Sequence, residues 1–272
     1  MSTLPVSEAP ESPENLPFVV PCRTLDMAAP LRWLRLGWAD LRRAPRLSLS
    51  YGFALMLLSV LIALFTWRFG TLALYIGLAT GFVFVGPVLA VGLYSISRQL
   101  GQGLQPVLGH CLREGTQHIK ELLVLGVVLL VVLLVWARAA AMVHVFFPVM
   151  AEPGLRELLP FLGIGSAVGA IFALIVFAAS AFSLPFILDR KVDAITATVS
   201  SFNAVLRNKK PMALWAALIG VSVAIGFATA FVGLIVLLPL IGHATWHAYE
   251  ETLDTAAWPV DKAWRPLSAS RT

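Results

Sequence analysis

Charge is what this chain has least of. Asp, Glu, Lys and Arg make up 13% of its 272 residues, against 58% hydrophobic residues and a mean hydropathy of +0.84. A soluble globular protein carries about 25% charged residues. Half that share, with apolar runs longer than about 18 residues, excludes a large aqueous fold and indicates several membrane spans. The runs are continuous and do not alternate with period two, which excludes a barrel. Cysteine is nearly absent, and Cys22 and Cys111 fit no zinc or redox spacing, so reduced structural thiols are expected. A His-Glu-x-x-His helix, a Gly-rich phosphate loop and a nucleophile with histidine support are all missing. No enzyme and no cofactor are expected. The opening "MSTLPVSEAPESPENLP" lacks the basic and apolar regions of a secretory signal. Residues 1–27 are therefore expected to form a disordered acidic tail, and residues 251–272 a second, cytoplasmic tail.

What is present is an all-α pattern over residues 28–250. In "APLRWLRLGWADLRRA" (29–44) Leu31, Leu34, Trp38 and Leu41 share one side of a helical wheel, and Arg32, Arg35, Arg42 and Arg43 the other. That is an interfacial helix, with Trp38 at the acyl boundary and the arginines at the phosphates. Because it runs straight into a span, nucleic acid is excluded as the partner of these arginines. Spans follow at about 47–66, 71–96, 121–148 and 160–188. A last apolar block, 212–250, is either one long helix or two short spans turning near Thr229–Gly233. A repeat favours two, at 212–230 and 233–250. "AITATVSSFNAVLRNKKPMALW" again places an amphipathic stripe (Ile195, Val199, Phe202, Leu206) before a basic patch, a proline and a span. "PVLGHCLREGTQHIKELL" is a third, weaker copy. Three units of interfacial helix plus transmembrane hairpin give six spans.

Seventeen of the twenty lysines and arginines then fall on the side of both termini, against Arg68 and Arg156 opposite. This is a positive-inside pattern for an inner (cytoplasmic) membrane protein with both termini in the cytoplasm. It explains the net charge of +5 without an acidic partner. Most spans hold no ionisable residue, which argues against an ion-coupled pump. Arg138, near the outer boundary, reads as a snorkelling arginine, with a functional or partner-binding role as the alternative. Gly165-x-x-x-Gly169 and Gly77-x-x-x-Gly81 match the spacing for close helix approach. Asp189-Arg190-Lys191 reads as a charged helix stop at the membrane surface.

The closing stretch "LPLIGHATWHAYEE" carries the one cluster of polar candidates: His243, His247 and Glu250 at i, i+4, i+7. Interfacial anchoring and interhelical hydrogen bonding are the expected roles, with a metal or haem site as the alternative, although the other spans offer no further ligands at that depth. His243 lies about 15 Å into the span, too deep for the interface, and requires a buried partner.

"PLRWLRLGWADLRRAP", "GPVLAVGLYSISRQLGQG", "AFSLPFILDRKVDAITATVSSFNAVLRN" and "LPLIGHATWHAY" together resemble a bacterial family of integral membrane proteins of unknown function. Some of its members carry the name of cytochrome c oxidase subunits. The resemblance covers about residues 28–250. The repeat plan is more distantly similar to the membrane domain of some glycerophosphodiester phosphodiesterases, whose catalytic domain is absent here. A haem–copper catalytic subunit needs more histidine ligands than the five present, of which His110, His118 and His144 lie away from the last span. The expected function is a non-catalytic accessory or scaffold protein, beside a respiratory complex if the oxidase name applies. Its partners are then the bilayer and other membrane proteins. The alternatives are a passage for a small neutral or lipidic solute, with Ser166, Ser180, Ser183, Ser222 and Thr229 lining a polar cavity, and a metal- or haem-binding membrane protein.

Overall fold

The computed structural model describes residues 16–70, 90–146 and 155–260. Ten helices run through them: α1 (Ala29–Arg43), α2 (Pro45–Phe69), α3 (90–101), α4 (Leu108–Gln117), α5 (Ile119–Phe146), α6 (Leu155–Ser180), α7 (Ser183–Asp189), α8 (Ala194–Arg207), α9 (Lys209–Ala228) and α10 (Leu234–Thr252). Among the described residues the only extended pairing is two isolated bridges, Cys22 with Leu253 and Arg190 with Val260. The all-α class follows from the sequence. Most of the span expected at 71–96 lies outside the described residues.

Three amphipathic helices each lead into a long apolar one across a single non-helical residue: Ala44 before α2, His118 before α5 and Asn208 before α9. Pro45 explains the first break, since a residue preceding proline is pushed out of the α region. Asp193 starts α8 by accepting hydrogen bonds from the amides of Ile195 and Thr196, both at 2.9 Å. Such a cap satisfies donors that the helix cannot. The last apolar block is two helices. They reverse at residues 229–233, where Ala230 and Phe231 take left-handed backbone angles (φ 48° and 70°) and Thr229 Oγ1 accepts from the Gly233 amide.

Four helical stretches are long and apolar enough to cross a membrane: Pro45–Phe69, Ile119–Met142, Leu159–Asp189 and Lys209–Ala228. Only 17% of the spanning window of α2, 17% of α5's and 22% of α9's is buried inside the protein. Their remaining surface, with Leu57, Leu61, Val127, Val131, Val221 and Phe227 exposed, suits the apolar interior of a membrane. Packing is concentrated instead around α1, α7, α8 and the second half of α10. There Trp33 meets Trp215 edge-on at 5.6 Å, and Phe182, Phe186, Trp246 and Tyr249 are buried together.

Residues 16–28 and 253–260 close this region like a cap. Of the tail expected over residues 1–27, residues 1–15 lie outside the described residues, but residues 16–27 are anchored to the bundle at several points. Val20 is fully buried and its amide donates to Ser200 Oγ. Asn208 accepts from the Leu25 amide and donates to the Arg23 carbonyl. Residues 253–260 run alongside. The Arg23 and Asp254 amides donate to the Thr252 and Pro21 carbonyls, and Trp258 is buried against Phe186. A pairing of two chain segments distant in sequence was not visible in either tail's composition.

The amphipathic helices pack through only part of their apolar stripes. In α1 the buried face is Trp33, Gly37, Asp40 and Leu41, while Leu31 and Trp38 are exposed. In α8 it is Ala197, Thr198, Ser200, Ser201 and Ala204, while Ile195 and Leu206 are exposed. Apart from Trp33 and Leu41, the fully buried residues of these faces are small or polar, while several large apolar ones face outward. This division suits a helix lying between a protein core and the acyl boundary of a bilayer.

Glycines set how closely α10 is approached. A Cβ at Gly37 of α1 would sit 2.7 Å from the Ala244 backbone nitrogen, and one at Gly52 of α2 2.0 Å from the Ile235 carbonyl oxygen. The glycines singled out by spacing behave differently. A Cβ at Gly165 or Gly169, as at nearby Gly163, would meet no neighbouring atom within 4 Å, so the Gly165–Gly169 motif makes no close intrachain contact among the described residues. Gly77 and Gly81 lie outside the described residues. Gly52→Val should lower the apparent melting temperature of the detergent-solubilised protein by a loss of about 2–3 kcal/mol, as overpacking does. Gly163→Val should leave it unchanged; equal effects of the two would refute the packing described.

A polar seam along helix α10

Helix α10 begins as a run of Leu, Ile and Val and ends as His-Ala-Thr-Trp-His-Ala-Tyr-Glu-Glu. Its average hydropathy falls accordingly, and it is not among the four stretches above. Ten of its nineteen residues are nevertheless buried. An apolar environment cannot solvate a polar side chain, so each must bond inside the protein.

His243 is completely buried. Its Nε2 lies 2.8 Å from Ser48 Oγ, at the start of α2, and its Nδ1 lies 2.8 Å from Ser97 Oγ, on α3. A neutral imidazole has one donor and one acceptor nitrogen, and a hydroxyl can play either part. The two serines therefore satisfy the ring whichever tautomer it adopts. These are the partners that His243 required.

One turn on, His247 Nε2 lies 2.7 Å from Oδ2 of buried Asp40 on α1, and its Nδ1 lies 3.5 Å from Glu250 Oε2. The expected face of His243, His247 and Glu250 is thus split between separate partners. His243 is held by serines, and only His247 and Glu250 touch. Among the described residues, no three His, Cys, Asp or Glu side chains converge in a way that could hold a metal ion. Further along, Tyr249 donates to Asp189 Oδ2 at 2.8 Å, and Glu251 accepts from Trp33 Nε1 at 2.7 Å and pairs with Arg32.

Asp189 does more than end a helix. Its carboxylate takes Tyr249 and Arg190 Nε on one oxygen and stands 3.4 Å from Arg98 Nη2 on the other. Arg98, buried on α3, also donates to the Leu188 carbonyl and lies 3.6 Å from Glu114 on α4, which His110 approaches at 3.4 Å. Arg190 reaches the Trp258 carbonyl. One network therefore ties α3, α4, α7, α10 and the C-terminal segment together. The reading of Asp189-Arg190-Lys191 as a surface stop is revised: Lys191 alone of the three is exposed.

Arg32, Arg35, Arg42 and Arg43 all lie on α1. Arg35, Arg42 and Arg43 are exposed beside Trp38, whereas Arg32 is committed to Asp26 and Glu251. Arg138 is exposed on α5. Ser48, Ser97, Asp40, Arg98 and Glu114 were not singled out from the sequence. Asp40 carried a signal, since it shares a wheel face with Trp33 and Gly37 at i, i+4, i+7.

Beside the seam, facing its apolar side, lies a cavity of about 780 Å³ between α2, α3, α5, α6, α9 and α10. Its walls include Leu93, Leu133, Trp136, Phe172, Val176 and Ile241. Of the five hydroxyl residues expected to line a polar cavity, Ser180 does so. Ser180, Ser222 and Thr229 each donate to a carbonyl of their own helix.

Apolar helices exposing lipid-compatible faces, joined at one end by buried polar bonds, define a polytopic helical membrane protein. The comparison with known families agrees: residues 74–189, somewhat under half of the chain, match the family described as "Predicted integral membrane protein (DUF2189)". That description mentions neither an oxidase nor a phosphodiesterase. No curated protein matches the chain, and no solved structure does.

Two outcomes follow from the seam. Asp40→Ala, which strips half-buried His247 of its closer partner, should cost about 1–3 kcal/mol of stability, and Asp40→Asn less, as read by thermal unfolding in detergent. Cys111 is buried and its burial pushes the thiol pKa up, whereas Cys22 is half-buried. Maleimide should therefore modify Cys22 first in the folded protein and Cys111 only on unfolding.

Proposed function

We propose that this protein is a non-catalytic accessory or scaffold component of the bacterial inner membrane, built as three units of interfacial helix plus hairpin. The observation that carries the reading is the use made of its buried polar groups. His243, His247, Asp40, Asp189 and Arg98 each bond to another segment of the same chain, so their chemistry is spent on holding helices together. The exposed arginines and Trp38 of α1 support attachment to an anionic bilayer surface. The positive-inside distribution supports cytoplasmic termini, with the capped end in the cytoplasm. The oxidase name carried by relatives the sequence resembles supports a place beside a respiratory complex.

A second reading, a passage for a lipidic solute, is favoured by the apolar cavity rather than by the polar one first expected. The first reading is tested by affinity purification from native membranes in mild detergent. It expects one set of membrane proteins to co-purify in fixed ratio, with haem absorbance in the eluate if the partner is respiratory. Protein that elutes alone, at the mass of a single chain in its micelle, would refute it. Single-cysteine labelling at Arg42 and Arg68 tests the orientation. Arg42→Cys should react only from the cytoplasmic side and Arg68→Cys only from the opposite side.

A further inference from the structure

The cavity beside α10 sits within the membrane-spanning part of the bundle, and its composition defines what can fill it. Among the described residues that line it, none is Asp, Glu, Lys, Arg or His. Four lining side chains carry a polar group: Tyr94 and Trp136, at the edge of a largely apolar ring, and Ser180 and Thr245, on α6 and α10 towards the capped end. Ser180 and Thr245 have their hydroxyl hydrogens committed to the backbone carbonyls of Val176 and Ile241. The wall therefore offers little to water. Apolar cavities of about a fifth of this volume already stay dry and take up small apolar molecules. The space is partly open rather than sealed, so in a bilayer the molecules that meet it are lipids.

The space is built into the sequence by small residues. Gly169, Ala173, Ala90 and Gly242 line it, and a Cβ at Gly169 would meet nothing within 4 Å. On α6 its lining runs from Gly169 to Ser180, a rise of about 16 Å. That is about half of a hydrocarbon core of about 30 Å, the depth of one leaflet. The volume also falls within the range of about 300–1,000 Å³ typical of ligand pockets.

From these observations we infer that the cavity is a binding site for the aliphatic chain of a lipid, lying along α6 and α10 within one leaflet. The uncharged walls admit a methylene chain and exclude a charged headgroup, which must stay outside. The chain can belong to a bilayer phospholipid or to a free fatty acid, and the test separates these sources.

The full-length protein is reconstituted into phosphatidylethanolamine–phosphatidylglycerol vesicles containing either a phospholipid with a mid-chain diazirine or a diazirine-bearing palmitic acid. After irradiation the cross-linked peptides are mapped. The inference expects adducts at lining positions such as Phe172, Val176 and Ile241 with at least one probe, and the productive probe names the source. Gly169→Phe and Ala173→Phe, which project into the space, should reduce those adducts at least fivefold. Gly163→Phe, with open surroundings and outside the lining, should not. Melting curves and gel filtration show which of the two filling variants folds, and either one suffices. Adducts that persist in a folded filling variant, or that fall no more densely on the lining than on the exposed faces of α2 and α9, would overturn the inference. The scaffold reading would survive that result, because it rests on co-purifying partners and not on this cavity.

Discussion

An imidazole removed from water has two nitrogens to satisfy, and the fold is arranged around doing so once. His243 sits at the point where α2, α3 and α10 meet, and its ring joins a serine from each of the other two helices. Apolar side chains alone could not fix that junction, because in a bilayer lipid tails compete on equal terms for every leucine. A hydrogen bond across helices does not have that competitor. The glycines that let α1 and α2 reach the α10 backbone complete the arrangement, since polar contacts this short require close approach.

The seam then continues in the direction of the capped end, with Asp40 on His247, Glu251 between Arg32 and Trp33, and Asp189 between Tyr249, Arg190 and Arg98. Partners grow more polar along this series, from serine hydroxyls to carboxylates and ion pairs, and the outermost pair, Glu251 with Arg32, is partly exposed. Such grading is expected of a helix that leaves the hydrocarbon and enters the interfacial zone, where the cost of a charge declines. It also explains how α10 can be well buried without being strongly apolar.

Much of the architecture was legible from residues alone because composition is decisive in a membrane. Continuous apolar runs could only be helices, and the block 212–250, too long for one crossing, left one long helix or two spans open until the repeat favoured a reversal near Thr229–Gly233. The apolar stripes of α1 and α8 were found, but the faces that pack were missed, because beside Trp33 and Leu41 they are built largely of glycine, alanine, serine, threonine and aspartate. Those residues leave little mark on a hydrophobicity pattern. His243 could be recognised as needing a partner, since depth follows from counting. Which partner it has depends on how α2 and α3 come to lie beside α10, and no local pattern contains that. Asp189 was misread for the same reason: a charged triplet after a span ordinarily ends it at the surface, and only the fold brings Arg98 and Tyr249 to it.

The central claim is that His243 bonds α2 and α3 to α10, and a double-mutant cycle measures it directly. His243→Ala, Ser48→Ala and Ser97→Ala, singly and in the two His–Ser pairs, would be compared by reversible unfolding in mixed micelles. The account predicts a coupling of about 1 kcal/mol or more for each pair, since deleting either partner already forfeits the bond. Additivity within about 0.3–0.5 kcal/mol for both pairs would contradict it.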